Sequence, residues 1–107
     1  MKNIIVTTGN EIPKKKIVEI LGVVKGSTVR ARNLGRDIGA GIKNLVGGEI
    51  KTYTDMANNA RDEAYNRMVN QAIEKGANAI ISFRFSTSMI MQGASEMLAY
   101  GTAVSVK

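Results

Sequence analysis

The sequence predicts an α+β subunit in which one long helix packs on a small sheet of about four strands. Two observations predict this class: alternating or β-branched runs occur near both ends of the chain, and one central stretch repeats apolar residues every three or four positions. The chain has 107 residues, a length that suits one domain. We therefore predict a single domain over residues 1–107 with the order strand, strand, helix, helix, strand, strand.

The first two strands are predicted near the N-terminus. Residues 4–8 are β-branched, and such side chains are stiff at χ1 and fit a pleated surface. A second strand is predicted from Lys16 to about Lys25, with apolar residues on both faces. Because both faces of a central strand are covered, this pattern predicts a central position in the sheet. Gly22 and Gly26 predict either a close backbone approach or the end of the strand.

A short helix is predicted in the glycine-rich middle of the chain. Apolar residues at helical spacing place it from about Arg36 to Val46. The pair Gly47 and Gly48 is expected to end it, because glycine adopts the left-handed conformation of a helix C-terminus at low cost.

A long helix is predicted from about Tyr53 to Lys75. Thr52 and Asp55 have the spacing of a capping box, and Gly76 is placed to close the C-terminus. Its predicted buried face is narrow and rich in alanine, comprising Tyr53, Ala57, Ala60, Ala64, Met68 and Ala72. Small side chains on this face would let the helix backbone lie close to the sheet.

Two further strands are predicted at residues 77–86 and 98–106, separated by a turn at 92–95. In the first of them one face is expected to hold Ala79, Ile81, Phe83 and Phe85. We expect the two outer strand pairs to form antiparallel hairpins. The connection from the second strand to the third is expected to be a right-handed parallel crossover through the helices.

The composition excludes several classes of function. The chain has no histidine and no cysteine, so the commonest general base, the commonest metal ligand, disulfides and thiolate chemistry are all absent. A hydroxyl nucleophile would therefore lack an imidazole base, and we predict a non-enzymatic protein without a cofactor. No stretch has the length and apolarity of a membrane span or secretory signal, so we expect a cytoplasmic protein with no membrane partner.

The net charge of +6 is confined to one half of the chain. Residues 1–51 hold ten Lys or Arg against four acids, whereas residues 52–107 hold five of each. The candidate anion-binding residues lie in this basic half and are Lys25, Arg30, Arg32, Asn33 and Arg36. Nucleic acid is a further candidate partner, although no aromatic residue interleaves with these charges to stack on bases. The alternative is a solvated surface that serves solubility.

Three stretches of the sequence resemble a known family. They are residues 21–27 continuing through 29–33, residues 46–50 with 53–54 and 60–64, and residues 75–81 followed by 100–104. This pattern resembles the YbjQ family, whose members carry the label "putative heavy-metal-binding protein". The resemblance implies a dodecin-like subunit, assembled as a homopentameric ring, with a heavy metal as its ligand.

The residues offer poor ligands for such a metal. Met89 and Met91 are the candidate thioether ligands, and they would share a strand face; the alternative is that both pack in the core or at an interface. Asp55, Asp62 and Glu63 are interpreted as a solvated helix face, because no local spacing supplies the six oxygens that a hard cation needs.

Tyr100 and Thr102 are candidate ligand-facing hydroxyls on the last strand, although such hydroxyls are also common in structural hydrogen bonds. Together with the resemblance, these observations predict a small oligomeric, non-enzymatic protein that binds a ligand or a metal or serves as a scaffold, with a small anion as one candidate ligand. The alternatives are a basic anion- or nucleic-acid-binding module and an uncharacterised enzyme.

Overall fold

The computed structural model describes residues 4–31 and 48–107. The elements in this part of the chain are β1 (Ile5–Val6), β2 (Ile17–Ala31), α1 (Gly48–Glu74), β3 (Ala79–Met91) and β4 (Ala94–Val106). One helix packs on a four-stranded mixed sheet, so the predicted α+β class is confirmed. The predicted short helix at residues 36–46 lies outside the described residues.

The strands are arranged in the order β1-β3-β4-β2. β3 and β4 form the predicted antiparallel hairpin, closed by a two-residue turn in which Gly93 has a φ of +82°. The other predicted hairpin is wrong: β1 pairs parallel with β3, while β2 pairs antiparallel with β4 at the opposite edge. The chain between Val6 and Ile17 therefore passes from one edge of the sheet to the other and does not form a hairpin. β2 and β3 run in the same direction, as predicted, with β4 between them.

β2 is an edge strand, and its predicted central position is wrong. The apolar residues that predicted a central strand include Ile20 and Val23, whose exposed fractions are 70% and 69%. Two irregularities in the pairing with β4 also break the alternation of its first half, one on either side of Ile20. Several apolar side chains of β2 are therefore exposed in the part of the chain that the structure describes.

A β-bulge in β3 changes which side chains face the helix. Ile81 pairs with Thr102 and Arg84 pairs with Tyr100, so Ser82 and Phe83 together oppose Gly101. Ser82 has a φ of 55°. As a result, Phe83 packs in the cluster under the helix and Ile81 packs on the other face of the sheet. The predicted shared face of residues 79, 81, 83 and 85 is therefore wrong beyond Ile81.

The main core lies between α1 and the sheet. The predicted alanine-rich face is confirmed from Ala60 to Ala72, whereas the predicted contact of Tyr53 lies outside the described side chains. A Cβ atom on Gly26 would lie 2.2 Å from the Ala64 carbonyl oxygen and 2.4 Å from the Met68 nitrogen. The helix backbone thus rests directly on β2, which confirms the predicted close approach at Gly26. Gly22, with a φ of +115°, instead lies beside an irregularity of the strand.

The two ends of α1 differ in how well the sequence predicts them. Gly76 has a φ of +84°, and the N–H groups of Gly76 and Ala77 donate to the carbonyls of Ile73 and Ala72. This is the glycine cap expected at that position. At the other end the helix begins at Gly48, so Thr52 lies inside the first turns and the predicted capping-box start is wrong. The sequence predicted that Gly48 follows the end of a short helix, whereas in the structure Gly48 begins α1.

Candidate functional site

A cleft of about 400 Å³ opens between α1 and the end of the sheet that carries the β3–β4 turn. Its described polar lining residues are Thr28, Arg30, Arg61, Thr87 and Ser95. Its described apolar lining residues are Ala57, Ala60, Met89, Ala94 and Met97, and Gly93 of the turn completes the set. The cleft thus combines two arginines and three hydroxyls with an apolar wall.

Strand register explains why distant residues meet in this cleft. Met97 of β4 has Thr28 of β2 opposite it on one side and Thr87 of β3 on the other. Two positions along, Ser95 is flanked in the same way by Arg30 and Met89. Because alternate residues of a strand point to one face, both rows lie on the side of the sheet that α1 covers.

Thr28 is the only buried polar residue in the part of the chain that the structure describes. Its exposed fraction is 2%, and its Oγ1 has no hydrogen-bond partner within residues 4–31 and 48–107. Burying a hydroxyl without a partner costs roughly 1–3 kcal/mol. A buried donor that lines a cleft and has no partner is well placed to bind a ligand there.

Arg30 joins the cleft to an ion-pair network on the helix. Its Nη2 donates to Glu63 Oε2 at 2.7 Å, and Arg67 also donates to the Glu63 carboxylate. The hydrogen bond from Arg30, together with the charges of both arginines, holds the pKa of the Glu63 carboxyl below its ordinary value. Arg67 also donates to the carbonyl oxygen of Ser27, which turns its guanidinium toward the edge of β2. One oxygen of the Glu63 carboxylate, Oε2, therefore holds Arg30 at the cleft.

Arg61 supplies the second positive charge of the cleft. It lies on α1 two residues before Glu63, and its Nη1 donates to Asn58 Oδ1 at 2.9 Å. A guanidinium has five N–H donors, so this contact leaves others that can face a ligand. The two arginines and the Thr28 hydroxyl together favour an anion.

The structure brings only one of the predicted anion-binding residues into the cleft. Arg30 lines it, whereas Lys25 lies on the edge strand with an exposed side chain. Arg32, Asn33 and Arg36 lie outside the described residues.

The sequence prediction missed Thr28 and Arg61. Thr28 has a sequence signal, because it shares a strand face with the buried positions 24 and 26. Arg61 has no comparable signal, because the position of the cleft depends on how the helix crosses the sheet.

The two candidate thioethers are separated by an irregularity in the strand. Met89 lines the cleft, with an exposed fraction of 76%. The register shifts between Met89 and Met91, which breaks the alternation on which their shared face depended. The second thioether at the cleft is instead Met97, which also packs against the core.

Tyr100 and Thr102 lie on the opposite face of the sheet from the cleft. Tyr100 has Lys25 opposite it on β2 and Arg84 opposite it on β3, and all three residues are exposed. The Arg84 guanidinium donates to the carbonyl oxygens of Thr8 and Phe83. These two predicted ligand-facing residues therefore do not contribute to the cleft.

Comparisons with known proteins identify the family. A family model described as "Putative heavy-metal-binding" matches residues 4–107. The chain belongs to the YbjQ family. A UPF0145 protein of Archaeoglobus fulgidus is 55% identical over 106 residues, covering 99% of this chain and 98% of the relative. A UPF0145 protein of Methanoculleus marisnigri is 58% identical over 100 residues, covering 94% of each chain.

The fold of this YbjQ family member is also similar to a solved structure. A crystal structure from Pediococcus pentosaceus, described as a protein with unknown function of the DUF74 family, superposes with a TM-score of 0.65 at 17% sequence identity. The match covers 97% of this chain and 98% of that one. This likeness concerns the fold. Among residues 4–31 and 48–107, no helix combines the length and apolar character that crossing a lipid bilayer requires.

A heavy-metal ion, which the description of the YbjQ family implies, does not fit the cleft residues described above. The soft donors at the cleft are the thioethers of Met89 and Met97, and two guanidinium groups share the same space. Soft metals prefer thiolates, and positive side chains repel a cation. The donor set of the cleft suits an anion better than a metal ion.

Proposed function

We propose that this protein is a non-enzymatic ligand-binding subunit and that its cleft binds a small anion. The observation that carries the proposal is the buried Thr28 hydroxyl, which lines the cleft with no partner within residues 4–31 and 48–107. An anion held by Arg30 and Arg61 would accept its hydrogen bond. The cost of burying the hydroxyl would then be recovered on binding.

The anion proposal predicts that Thr28→Val separates ligand binding from stability. Valine has nearly the shape of threonine, so removing the unpaired hydroxyl should raise the free energy of unfolding by about 1 kcal/mol. The same change should abolish anion binding. In ¹H–¹⁵N spectra titrated with acetate and with inorganic phosphate, we expect saturable shifts at the amides of Thr28, Arg30 and Ser95 in the unmodified chain and none in the variant.

Two further variants complete this experiment. Arg30→Gln removes a guanidinium from the cleft and should also abolish the shifts. Thr102→Val is the matched control, because it makes the same substitution on the opposite face of the sheet and should leave the titration unchanged. Shifts that persist in Thr28→Val and disappear in Thr102→Val would place the site on the wrong face and overturn the proposal.

We also propose that the subunit assembles as a homopentameric ring. The ring of five rests on the resemblance to the family. Support for self-assembly comes from β2, whose exposed apolar residues include Ile20, Val23 and Val29. Exposed apolar side chains of this kind favour burial against another copy. Light scattering on the full chain at micromolar concentration should give the mass of five subunits, and a monomer mass would contradict the ring.

A further inference from the structure

The cleft is amphipathic, because its arginines and hydroxyls lie beside apolar side chains. Thr28 and Arg30 come from β2, and Arg61 comes from α1. The wall consists of Met97 and Ala94 of β4, Met89 of β3, and Ala57 and Ala60 of α1. A fully polar ligand such as phosphate would satisfy the charges and leave this wall without contacts.

Charge balance sets the number of negative charges that the ligand carries. Two guanidinium groups line the cleft, and one of them, Arg30, already shares the Glu63 carboxylate with Arg67. Arg67 donates to the Ser27 carbonyl and is not among the described lining residues. Arg30, Arg61 and Arg67 against the single carboxylate of Glu63 leave a net charge of +2, so the cleft favours a ligand with one or two negative charges.

The dimensions of the wall allow a ligand with an extended body. From Met97 to Gly93 the cleft follows four residue steps of β4 and its turn, or about 13 Å at the usual strand rise. Methionine side chains are flexible and adapt to an apolar chain of variable shape.

We propose that the cleft is a site for a carboxylate with an unbranched apolar chain, that is, a medium-chain acyl carboxylate. The carboxylate lies between Arg30 and Arg61 and accepts a hydrogen bond from the Thr28 hydroxyl. The chain lies along Met97 and Met89 toward the β3–β4 turn. This inference rests on the proposed anion site and adds the chemical class of the ligand.

Calorimetric titration of the full chain with acetate, butanoate, hexanoate and octanoate tests the proposal. Each methylene that leaves water should tighten binding about fourfold. We therefore expect octanoate to bind at least about tenfold more tightly than acetate. Octanol, which has the chain without the charge, should bind at least about tenfold more weakly than octanoate.

Substitutions in the wall locate the chain. Met89→Ala should reduce the dependence of affinity on chain length, because it removes part of the apolar wall that the chain contacts. Met91→Ala is the matched control, since Met91 is not among the described lining residues, and it should keep the full dependence.

The outcomes separate this inference from the anion site on which it rests. If acetate and octanoate bind equally, or if phosphate binds more tightly than octanoate, the acyl carboxylate is overturned and the anion site stands. If octanol binds as tightly as octanoate, the role of the arginines is overturned. If none of these probes binds, both proposals are overturned.

Discussion

At the residue scale, the cleft depends on a few side chains whose partners are far apart in the sequence. The basic stretch predicts Arg30 as a candidate anion ligand, and the structure places Arg30 at the cleft. Alternation along β2 places Thr28 on the face of positions 24 and 26, but its burial depends on α1 lying over β2 at Gly26, which the sequence does not predict. The same is true of Glu63: the sequence predicts a solvated acid, whereas the structure places it between Arg30 and Arg67.

The ion pairs of Glu63 predict a specific pH dependence of stability. Because the hydrogen bond from Arg30 lowers its pKa in the folded state, Glu63 stabilises the fold above its unfolded pKa. This contribution is lost as the pH falls through the lowered value. We expect Glu63→Gln to reduce the free energy of unfolding at pH 7 and to have progressively less effect below about pH 4.5, measured by urea unfolding across this range.

The control for this prediction is Asp62→Asn on the same helix turn. Asp62 is exposed and has no ion pair within the described part of the chain, so its substitution should produce little change at either pH. An equal effect of Glu63→Gln at pH 7 and pH 3 would show that the ion pairs do not stabilise the fold.

At the element scale, the sequence predicts which elements exist better than where their side chains point. The alanine-rich face and the glycine cap of α1 are local patterns, and both are confirmed. The bulge at Ser82 and the irregularities of β2 depend on pairing with β4, so alternation in one strand could not reveal them. α1 starts at Gly48, four residues before the apparent cap at Thr52, so the local capping pattern does not locate the start of the helix.

The contact between α1 and β2 predicts a strong effect of Gly26→Ala. The new Cβ would lie 2.2 Å from the Ala64 carbonyl oxygen, so either the helix or the strand must move. Overpacking of this kind against backbone atoms should lower the free energy of unfolding by about 3 kcal/mol. Chemical unfolding measures the loss.

Gly9→Ala is the matched control for this substitution. Its Cβ would meet its nearest neighbours at 3.6 and 3.7 Å, which is ordinary contact. We expect the control to change the free energy of unfolding by less than about 1 kcal/mol. A Gly26→Ala variant as stable as the control would mean that α1 can lie further from the sheet.

At the scale of the whole molecule, the fold class could be predicted and the strand order could not. Apolar residues on both faces of β2 predicted a central strand, yet β2 lies at the edge of the sheet. The sequence of one chain does not show whether an apolar residue is covered within its own subunit or by a neighbouring copy. The error in the prediction is therefore itself an argument for self-assembly.

The exposed edge predicts that Val23→Lys separates assembly from folding. Val23 is 69% exposed in the subunit, so a lysine there should cost the isolated subunit less than about 1 kcal/mol. A charge placed in an apolar interface should dissociate the ring. Light scattering should then report a monomer mass while the circular dichroism spectrum stays unchanged.

Lys75→Ala provides the comparison for this prediction. Lys75 is exposed directly after α1, and its substitution should leave the measured mass unchanged. If Val23→Lys retains the mass of the unmodified chain, β2 is not the assembly surface.

The side chains that α1 extends over the edge of β2 also bear on fibrillar aggregation. Gln71 accepts a hydrogen bond from the N–H of Lys25, and Arg67 donates to the carbonyl oxygen of Ser27. These groups are then unavailable to an extended chain approaching from outside, so the free edge is interrupted near its middle. Continuous stacking of strands into a cross-β fibril requires every backbone group of the edge, and the folded subunit withholds two of them.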